Sequence, residues 1–297
     1  MSTPLKGNIR HDVAWWPFCL DRATVLNTRP DEPMPLDTKG LVTGLREHCG
    51  IAKPVIELAP QADYEWLASQ GLVNAMGFVD PFGSDKIPPF VRGFNNPKYR
   101  KQVIEATIAE IDLHASFKWP NVISFVGYAV DPTDGGNPIK RSKAMTSCVT
   151  GLKQVAKHAE AKRVVICLEH LNSRDTTHPM RGHPGYQGDN LDFVAETVRR
   201  VGSPNMKVLF DCYHVQVMHG DVIRRLRALL AEGLVGHIHT AGCPGRGELG
   251  PSQELYYPAV MAALVEGRYA GYVGHEHIPV LPDKFVSIEN SISICDV

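Results

Sequence analysis

Four short stretches in the second half of the chain decide the fold: VVICLEH at 164–170, KVLFDCYH at 207–214, GHIHTAG at 236–242 and GYVGHEH at 271–277. Each stretch is a run of apolar residues that leads into an acidic or imidazole side chain. Short apolar runs of this kind are typical of buried β-strands. Successive acidic or imidazole residues lie 42, 28 and 37 positions apart, which is room for one strand, one helix and two loops. The pattern predicts consecutive strand–helix units.

The same alternation extends over the whole chain. The candidate strands are Val13–Trp16, Val55–Ala59, Val73–Phe78, Val122–Val126, Val164–Glu169, Val208–Asp211, Val235–His239 and Tyr272–Glu276. Stretches with helical spacing lie between them, at Tyr99–Leu113, Ser147–His158, Leu191–Val201 and Val222–Leu230. Asn190 and Asp221 are candidate caps of the last two helices. Eight such units in residues 1–297 predict a single-domain α/β fold, the (β/α)8 TIM barrel. A doubly wound open sheet is the second choice, but no glycine-rich turn follows the first strand.

Composition excludes several classes of function. The net charge is −1 and no basic patch is present, which argues against a nucleic-acid partner. There is no run of about 18 apolar residues, so no membrane span is expected. The N-terminal MSTPLKGNIRHD lacks the apolar segment of a signal peptide. The seven cysteines form no CxxC pair, which favours reduced thiols and a cytoplasmic location.

The four strand ends carry the chemistry. In a barrel, Glu169, Asp211, His239 and Glu276 would meet at the carboxyl-terminal mouth, each last on the inward face of its strand. A buried carboxylate is costly unless a positive charge compensates it. Three carboxylates and one neutral imidazole suit a hard divalent cation. Any one of these residues could be an ordinary ion-pair partner or helix cap, but four at consecutive strand ends predict a metal site.

Further polar residues cluster near the predicted mouth. Arg246 lies in the glycine-rich AGCPGRGELG, where backbone can approach a ligand closely, and is a candidate substrate contact. His214 follows Asp211 by one loop step. Pro and Gly cluster after three strands, and each cluster predicts a loop at the mouth. These loops are Asp80–Pro89, Asp131–Pro138 and Thr176–Gly188.

The chain resembles the xylose-isomerase-like TIM-barrel superfamily, and within it the hydroxypyruvate isomerase family. The resemblance is carried by CLEHLNSRD, RRVGSPNMKVLFDCYHVQVMHGDVI, GHIHTAGCPGRGELGPSQELYYPAVM and GYVGHEHIP. It implies a divalent metal, Mg or Mn in the first place, and a small hydroxy-carbonyl or sugar substrate. Co or Zn is also possible, because the Irving–Williams order favours several metals over Mg at a site with an imidazole. Related barrels often pair, so a homodimer or homotetramer is compatible with it.

Residue by residue, the resemblance places the metal ligands on Glu169, Asp211, His239 and Glu276. We expect Glu169 and Glu276 to be the catalytic pair, one removing the proton next to the carbonyl and the other returning a proton to the neighbouring carbon. The substrate contacts that we expect are His214, Arg246, Asp175 and His237. The third ligand is often Gln in hydroxypyruvate isomerases, and His239 resembles the ketose 3-epimerases instead.

The sequence leaves several functions open. Isomerisation of hydroxypyruvate to tartronate semialdehyde is preferred because Arg246 lies in the PGR motif. A ketose 3-epimerase is the alternative, followed by a dehydratase or lyase and by a binding protein without catalysis. An endonuclease acting on abasic DNA has a similar barrel, but it uses three zinc ions and needs a basic face.

Overall fold

The computed structural model describes residues 5–20, 35–133 and 135–297. The described part contains one sheet of nine strands, all joined by parallel pairing. The strands are β1 (Arg10–Ala14), β2 (Val55–Glu57), β3 (Val73–Asn74), β4 (Met76–Gly77), β5 (Asn121–Ser124), β6 (Val165–Glu169), β7 (Met206–Asp211), β8 (Val235–Thr240) and β9 (Tyr272–His275).

The sheet closes into a barrel at β3 and β4. Its order is β3-β2-β1-β9-β8-β7-β6-β5-β4, so the two end strands are separated only by Ala75. The Ala75 amide donates to the Ile56 carbonyl at 2.7 Å, and the Leu58 amide donates to the Met76 carbonyl at 2.8 Å. Because β2 pairs across the interruption, β3 and β4 act as one barrel strand. The predicted (β/α)8 barrel is confirmed.

Helices surround the sheet. They are α1 (Trp16–Cys19), α2 (Thr38–Glu47), α3 (Tyr64–Ser69), α4 (Arg100–Phe117), α5 (Arg141–Lys162), α6 (Leu191–Val201), α7 (Cys212–Met218), α8 (Val222–Ala231), α9 (Tyr257–Glu266) and α10 (Lys284–Cys295). Short 3-10 turns occupy Gln61–Asp63 and Gly83–Asp85. No helix in the described residues is long and apolar enough to cross a bilayer. All seven cysteines are buried and free.

Local chemistry explains where individual elements begin and end. The Asn190 side chain accepts a hydrogen bond from the Phe193 amide at 2.9 Å, as predicted for the cap of α6. Asp221 does not cap α8, contrary to the prediction. Its backbone is left-handed, with φ of 54°, and its carboxylate contacts Arg224 instead. The first strand is displaced from the predicted Val13–Trp16, since Pro17 favours the first turn of α1.

The inside of the barrel is polar below its carboxyl-terminal mouth. Asp12 of β1, Glu57 of β2 and both His237 and His239 of β8 are buried there. Apolar side chains fill the space between strands and helices, as expected for a barrel covered on its outer face. The predicted first strand begins too late in the chain, because the charged residues of RHDVA interrupt the apolar run that is typical of a buried strand.

Candidate metal centre

The four predicted ligands come together at the carboxyl-terminal mouth. Glu169 and Asp211 are the last residues of β6 and β7, His239 precedes the last residue of β8, and Glu276 follows β9. All four are buried. One ligand atom from each lies within 4.8 Å of every other. The barrel topology therefore converts four distant positions in the sequence into one acidic cluster.

His239 Nδ1 faces all three carboxylates. It lies 3.0 Å from Glu276 Oε2, 3.5 Å from Glu169 Oε1 and 4.0 Å from Asp211 Oδ2. Ligands around a cation with bonds of ~2.1 Å are about 3.0 Å apart when adjacent and about 4.2 Å apart when opposite. The spacings are of the right size for one divalent cation.

The hydrogen bonding of these atoms also fits a cation. Glu169 Oε1, Asp211 Oδ2 and His239 Nδ1 are buried, and none makes a well-directed hydrogen bond within the described part of the chain. Buried polar atoms are almost always satisfied, so an orphaned set suggests a missing ion. The other Asp211 oxygen, Oδ1, accepts from the His214 amide at 3.0 Å and caps α7. This cap fixes the carboxylate and leaves Oδ2 to the site.

Arg246 neutralises part of the acidic charge. One of its terminal nitrogens contacts Glu276 Oε2 and lies 3.5 Å from Asp211 Oδ2, and the other donates to the Met180 carbonyl at 2.8 Å. The guanidinium is buried and lies against the Trp16 ring, 5.1 Å from its centroid. Because a cation needs the same carboxylate oxygens, Arg246 and a metal compete for them.

The two glutamates of the site differ in acidity. Burial, with the charges of Glu276 and Asp211, raises the pKa of Glu169 to about 7, although His239 acts in the opposite direction. Burial also acts on Glu276, but Arg246 and His239 outweigh it and hold the pKa of Glu276 below its usual range. Trp16 adds a hydrogen bond of 2.7 Å to Glu276 Oε1. Glu169 is therefore the glutamate with a pKa near neutrality, as a proton carrier requires.

The remaining two ligands have raised pKa values. Burial raises the pKa of Asp211, and Arg246 opposes this. For His239, burial lowers the pKa, but Glu276 and Glu57 outweigh it and the net shift is well above the usual value. Without a cation, this shift favours a protonated imidazole, which would be a counter-charge of the cluster beside Arg246. A cation at Nδ1 would then displace a proton.

A cavity of about 510 Å³ opens above the cluster. Glu169, Glu276, Arg246 and His183 line it from the polar side. Much of the remaining wall is apolar, with Trp15, Trp16, Leu58, Phe78, Phe90 and Phe125 among its residues. Two of the predicted loops contribute to the wall of the cavity: Asp80–Pro89 through Asp80, and Thr176–Gly188 through Met180. No described residue of the third loop, Asp131–Pro138, is among the lining residues.

Three predicted substrate contacts do not line this cavity. His237 lies deeper in the barrel, with Nε2 2.7 Å from Glu57 Oε2. His214 is fully buried beside Asp211, and its Nδ1 accepts from the Asn172 amide. Asp175 accepts hydrogen bonds from Thr177 and, at 3.0 Å, from the Tyr213 hydroxyl. Of the four predicted contacts, the structure places only Arg246 on the cavity wall.

A carboxylate that was not among the predicted site residues lies beneath the site. Glu57 ends β2, is fully buried and lies 3.1 Å from His239 Nε2. Its pKa is about 2, because His239 and His237 outweigh the effect of burial. Burial and the neighbouring Glu57 raise the pKa of Asp12 well above its usual value. The one available signal was an acidic residue inside the apolar VIEL stretch.

Residues 74–286 match the family model described as Xylose isomerase-like TIM barrel, which is more than half of the chain. The chain belongs to this family. All four candidate ligands fall inside the matched region, whereas Glu57 precedes it.

Two curated relatives are named as isomerases. The 2-oxo-tetronate isomerase of Cupriavidus necator is 34% identical over 139 residues, which is 47% of this chain and 50% of that protein. The putative hydroxypyruvate isomerase of Homo sapiens is 35% identical over 112 residues, 38% of each protein. The chain therefore matches half or less of the length of these relatives. A solved structure of an L-ribulose 3-epimerase superposes with a TM-score of 0.64 over 97% of this chain and 91% of that one, at 16% identity, which shows the shared fold alone.

Proposed function

We propose that the protein is a divalent-metal-dependent isomerase of small hydroxy-carbonyl compounds, with the conversion of hydroxypyruvate to tartronate semialdehyde as the representative reaction. The observation that carries the proposal is the buried set of Glu169, Asp211, His239 and Glu276 beside an open cavity. The two isomerase-named relatives support the same reaction class. Mg and Mn are the preferred metals, and an imidazole ligand also suits Co and Zn.

A cation held by the four ligands would supply electrostatic stabilisation of the negative charge that develops on oxygen when the carbon next to a carbonyl loses its proton. The protein supplies the proton transfer. Glu169 borders the cavity, and its carboxylate would keep its second oxygen for the substrate when Oε1 binds the cation. We assign it the removal of the proton from C3 of hydroxypyruvate.

Completion of the reaction requires a proton on C2 and movement of the hydroxyl proton from O3 to O2. Glu276 also borders the cavity, three strands around the barrel from Glu169. It is the second group that can exchange a proton with the substrate. Arg246 is the one guanidinium among the described lining residues, and we assign it the substrate carboxylate.

C3 epimerisation of a ketose is the alternative. It would use the same two glutamates, but the proton would leave and return at one carbon from opposite faces. His239 as third ligand, which resembles the ketose 3-epimerases, is the observation that favours it. The apolar wall and the volume of the cavity also leave room for a substrate larger than hydroxypyruvate.

Deuterium exchange separates these reactions. The metal-loaded protein is incubated in deuterated water with hydroxypyruvate, with the 2-oxo-tetronate class of acid and with ketoses, and NMR follows the label. Label together with aldehyde formation establishes the isomerase, and label at C3 of a ketose establishes the epimerase. If neither occurs in the metal-loaded wild type, while Glu169→Gln behaves identically, the proposed function is wrong.

A further inference from the structure

Glu57 occupies the opposite side of His239 from the three metal-binding carboxylates. Its Oε1 lies 3.1 Å from His239 Nε2, whereas Nδ1 of the same ring lies 3.0 Å from Glu276. Glu57 and His239 are both fully buried. An imidazole that is protonated on one nitrogen binds metal with the other, so the partner of Nε2 decides which nitrogen is available.

We propose that Glu57 is a positioning residue that holds the proton of His239 on Nε2 and thereby makes Nδ1 the metal-binding nitrogen. This proposal rests on the proposed function, since it needs a cation at the four-ligand site. It adds a residue outside the family match and outside the ligand set. Glu57 does not touch the cavity, so it acts on the substrate only through His239.

The position of the Glu57 carboxylate is fixed on both sides. Its second oxygen, Oε2, lies 2.7 Å from His237 Nε2. Gly274 of β9 leaves the space that the carboxylate fills, because a Cβ there would lie 2.2 Å from Glu57 Oε1 and 3.0 Å from Asp12 Oδ1. The histidine nitrogen beside the second oxygen and the missing side chain beside the first are independent features. Both restrict where Glu57 can point.

The same residues allow a competing interpretation. Glu57, His237 and His239 are themselves close enough to hold a cation. The separation of 2.7 Å between Glu57 Oε2 and His237 Nε2 is shorter than the roughly 3.0 Å between adjacent ligands of one metal, which favours a proton between them. Neither atom makes a well-directed hydrogen bond within the described residues, so the Mn²⁺ stoichiometry measured below decides between the two interpretations.

The first test measures metal affinity. Metal-free wild type, Glu57→Gln and Glu110→Gln are titrated with Mn²⁺, and free Mn²⁺ is followed by electron paramagnetic resonance. Glu110 is a matched control, since it is also a buried glutamate beside a histidine and accepts a hydrogen bond from Tyr64 at 2.7 Å. Loss of such a supporting partner typically weakens metal binding by about 10–100-fold. We expect this loss for Glu57→Gln and a change below about twofold for Glu110→Gln.

Each outcome of the titration decides a different point. Unchanged affinity in Glu57→Gln overturns the positioning role but leaves the proposed function intact. Two bound Mn²⁺ per chain in wild type, reduced to one by the variant, also overturns it in favour of a second metal. No binding by wild type refutes the metal-dependent function itself, and the positioning role with it.

The second test needs no variant of Glu57. Histidine labelled with ¹⁵N is introduced into the wild type, which is loaded with Zn²⁺, and long-range ¹⁵N–¹H correlations report the state of each ring nitrogen. His239 is assigned by the signal that His239→Gln removes. We expect a proton on Nε2 and a metal-shifted Nδ1. A metal-shifted Nε2 would refute the proposal even if Glu57→Gln failed to fold.

Discussion

Replacement of Gly274 by alanine tests the arrangement beneath the metal centre directly. Gly274 lies in β9, opposite His239 of β8 in the parallel pairing. The added Cβ would lie 2.2 Å from Glu57 Oε1, whereas ordinary contacts begin at 3.4 Å. The carboxylate must therefore retreat by more than 1 Å, or the two strands must separate.

The loss of stability expected for Gly274→Ala follows from this overlap. Inserting an extra methyl group into a close-packed interior destabilises proteins by about 1–3 kcal/mol. For a chain of this size, 1 kcal/mol lowers the melting temperature by roughly 2 °C, so a decrease of about 2–6 °C is expected for Gly274→Ala without metal. Since Glu57 moves away from His239, we also expect weaker Mn²⁺ binding, by about tenfold, as for loss of a supporting partner.

The assay combines thermal unfolding with Mn²⁺ titration. Gly250→Ala is the control, because a Cβ at Gly250 meets nothing within 4 Å. Glu57→Asp shortens the clashing side chain by one methylene group, so it should relieve part of the overlap in the double variant. The two substitutions should then be non-additive by about 1 kcal/mol or more, as expected for residues in contact.

The inferred packing of Glu57 against Gly274 is refuted if Gly274→Ala melts and binds Mn²⁺ like Gly250→Ala. It is also refuted if the effects of Gly274→Ala and Glu57→Asp simply add. Either result would mean that the carboxylate does not occupy the space beside Gly274.

Three further predictions concern the mouth of the barrel. Glu169→Gln should reduce deuterium exchange at the substrate carbon by about 10²–10⁴-fold, the usual contribution of a general base, and a near-normal rate in the NMR assay would contradict the assignment. Arg246→Leu removes a cation that contacts Glu276 and lies 3.5 Å from Asp211, so titration should show tighter Mn²⁺ binding by about tenfold. The same variant should raise KM for hydroxypyruvate but not for dihydroxyacetone, which has no carboxylate. Mn²⁺ affinity should also increase with pH, because the raised pKa values of Glu169, about 7, and of His239 mean that both hold protons in acid and must release them. Release of two protons should raise the Mn²⁺ affinity by up to ~100-fold per pH unit below about pH 7, and release of one proton should raise it by ~10-fold per unit above that pH. Glu169→Gln should abolish the steeper part of this pH dependence.

Periodicity was sufficient to predict the barrel because buried strands and amphipathic helices leave different patterns. Val164–Glu169 and Leu191–Val201 are examples, with a continuous apolar run in one and helical spacing in the other. Periodicity did not predict β1 correctly, because Arg10, His11 and Asp12 interrupt the apolar pattern. Asp12 faces a polar interior, and no local feature of the sequence indicates that environment.

The clustering of the four candidate metal ligands could be predicted for a topological reason. Parallel barrel strands end at one mouth, so a polar residue at a strand end has a known direction without any knowledge of its neighbours. His214 and Asp175 lie beyond strand ends, in a helix and a loop whose path depends on side-chain contacts such as that between Asp175 and Tyr213. Their positions relative to the cavity therefore required the structure.

The sequence indicated Glu57 only through one acidic residue in the apolar VIEL stretch, yet Glu57 gives a physical meaning to the residue that departs from the isomerase pattern. The third ligand is often glutamine in the hydroxypyruvate isomerases that the chain resembles. A glutamine amide binds metal through its oxygen and donates through its NH2 group, so the roles of its two atoms are fixed. The two ring nitrogens of histidine can exchange these roles, so a histidine ligand needs a partner that fixes its tautomer. A histidine can bind on one side and donate on the other. The buried Glu57, 3.1 Å from Nε2, and the glycine that makes room for it are therefore consistent with a site built around histidine at position 239.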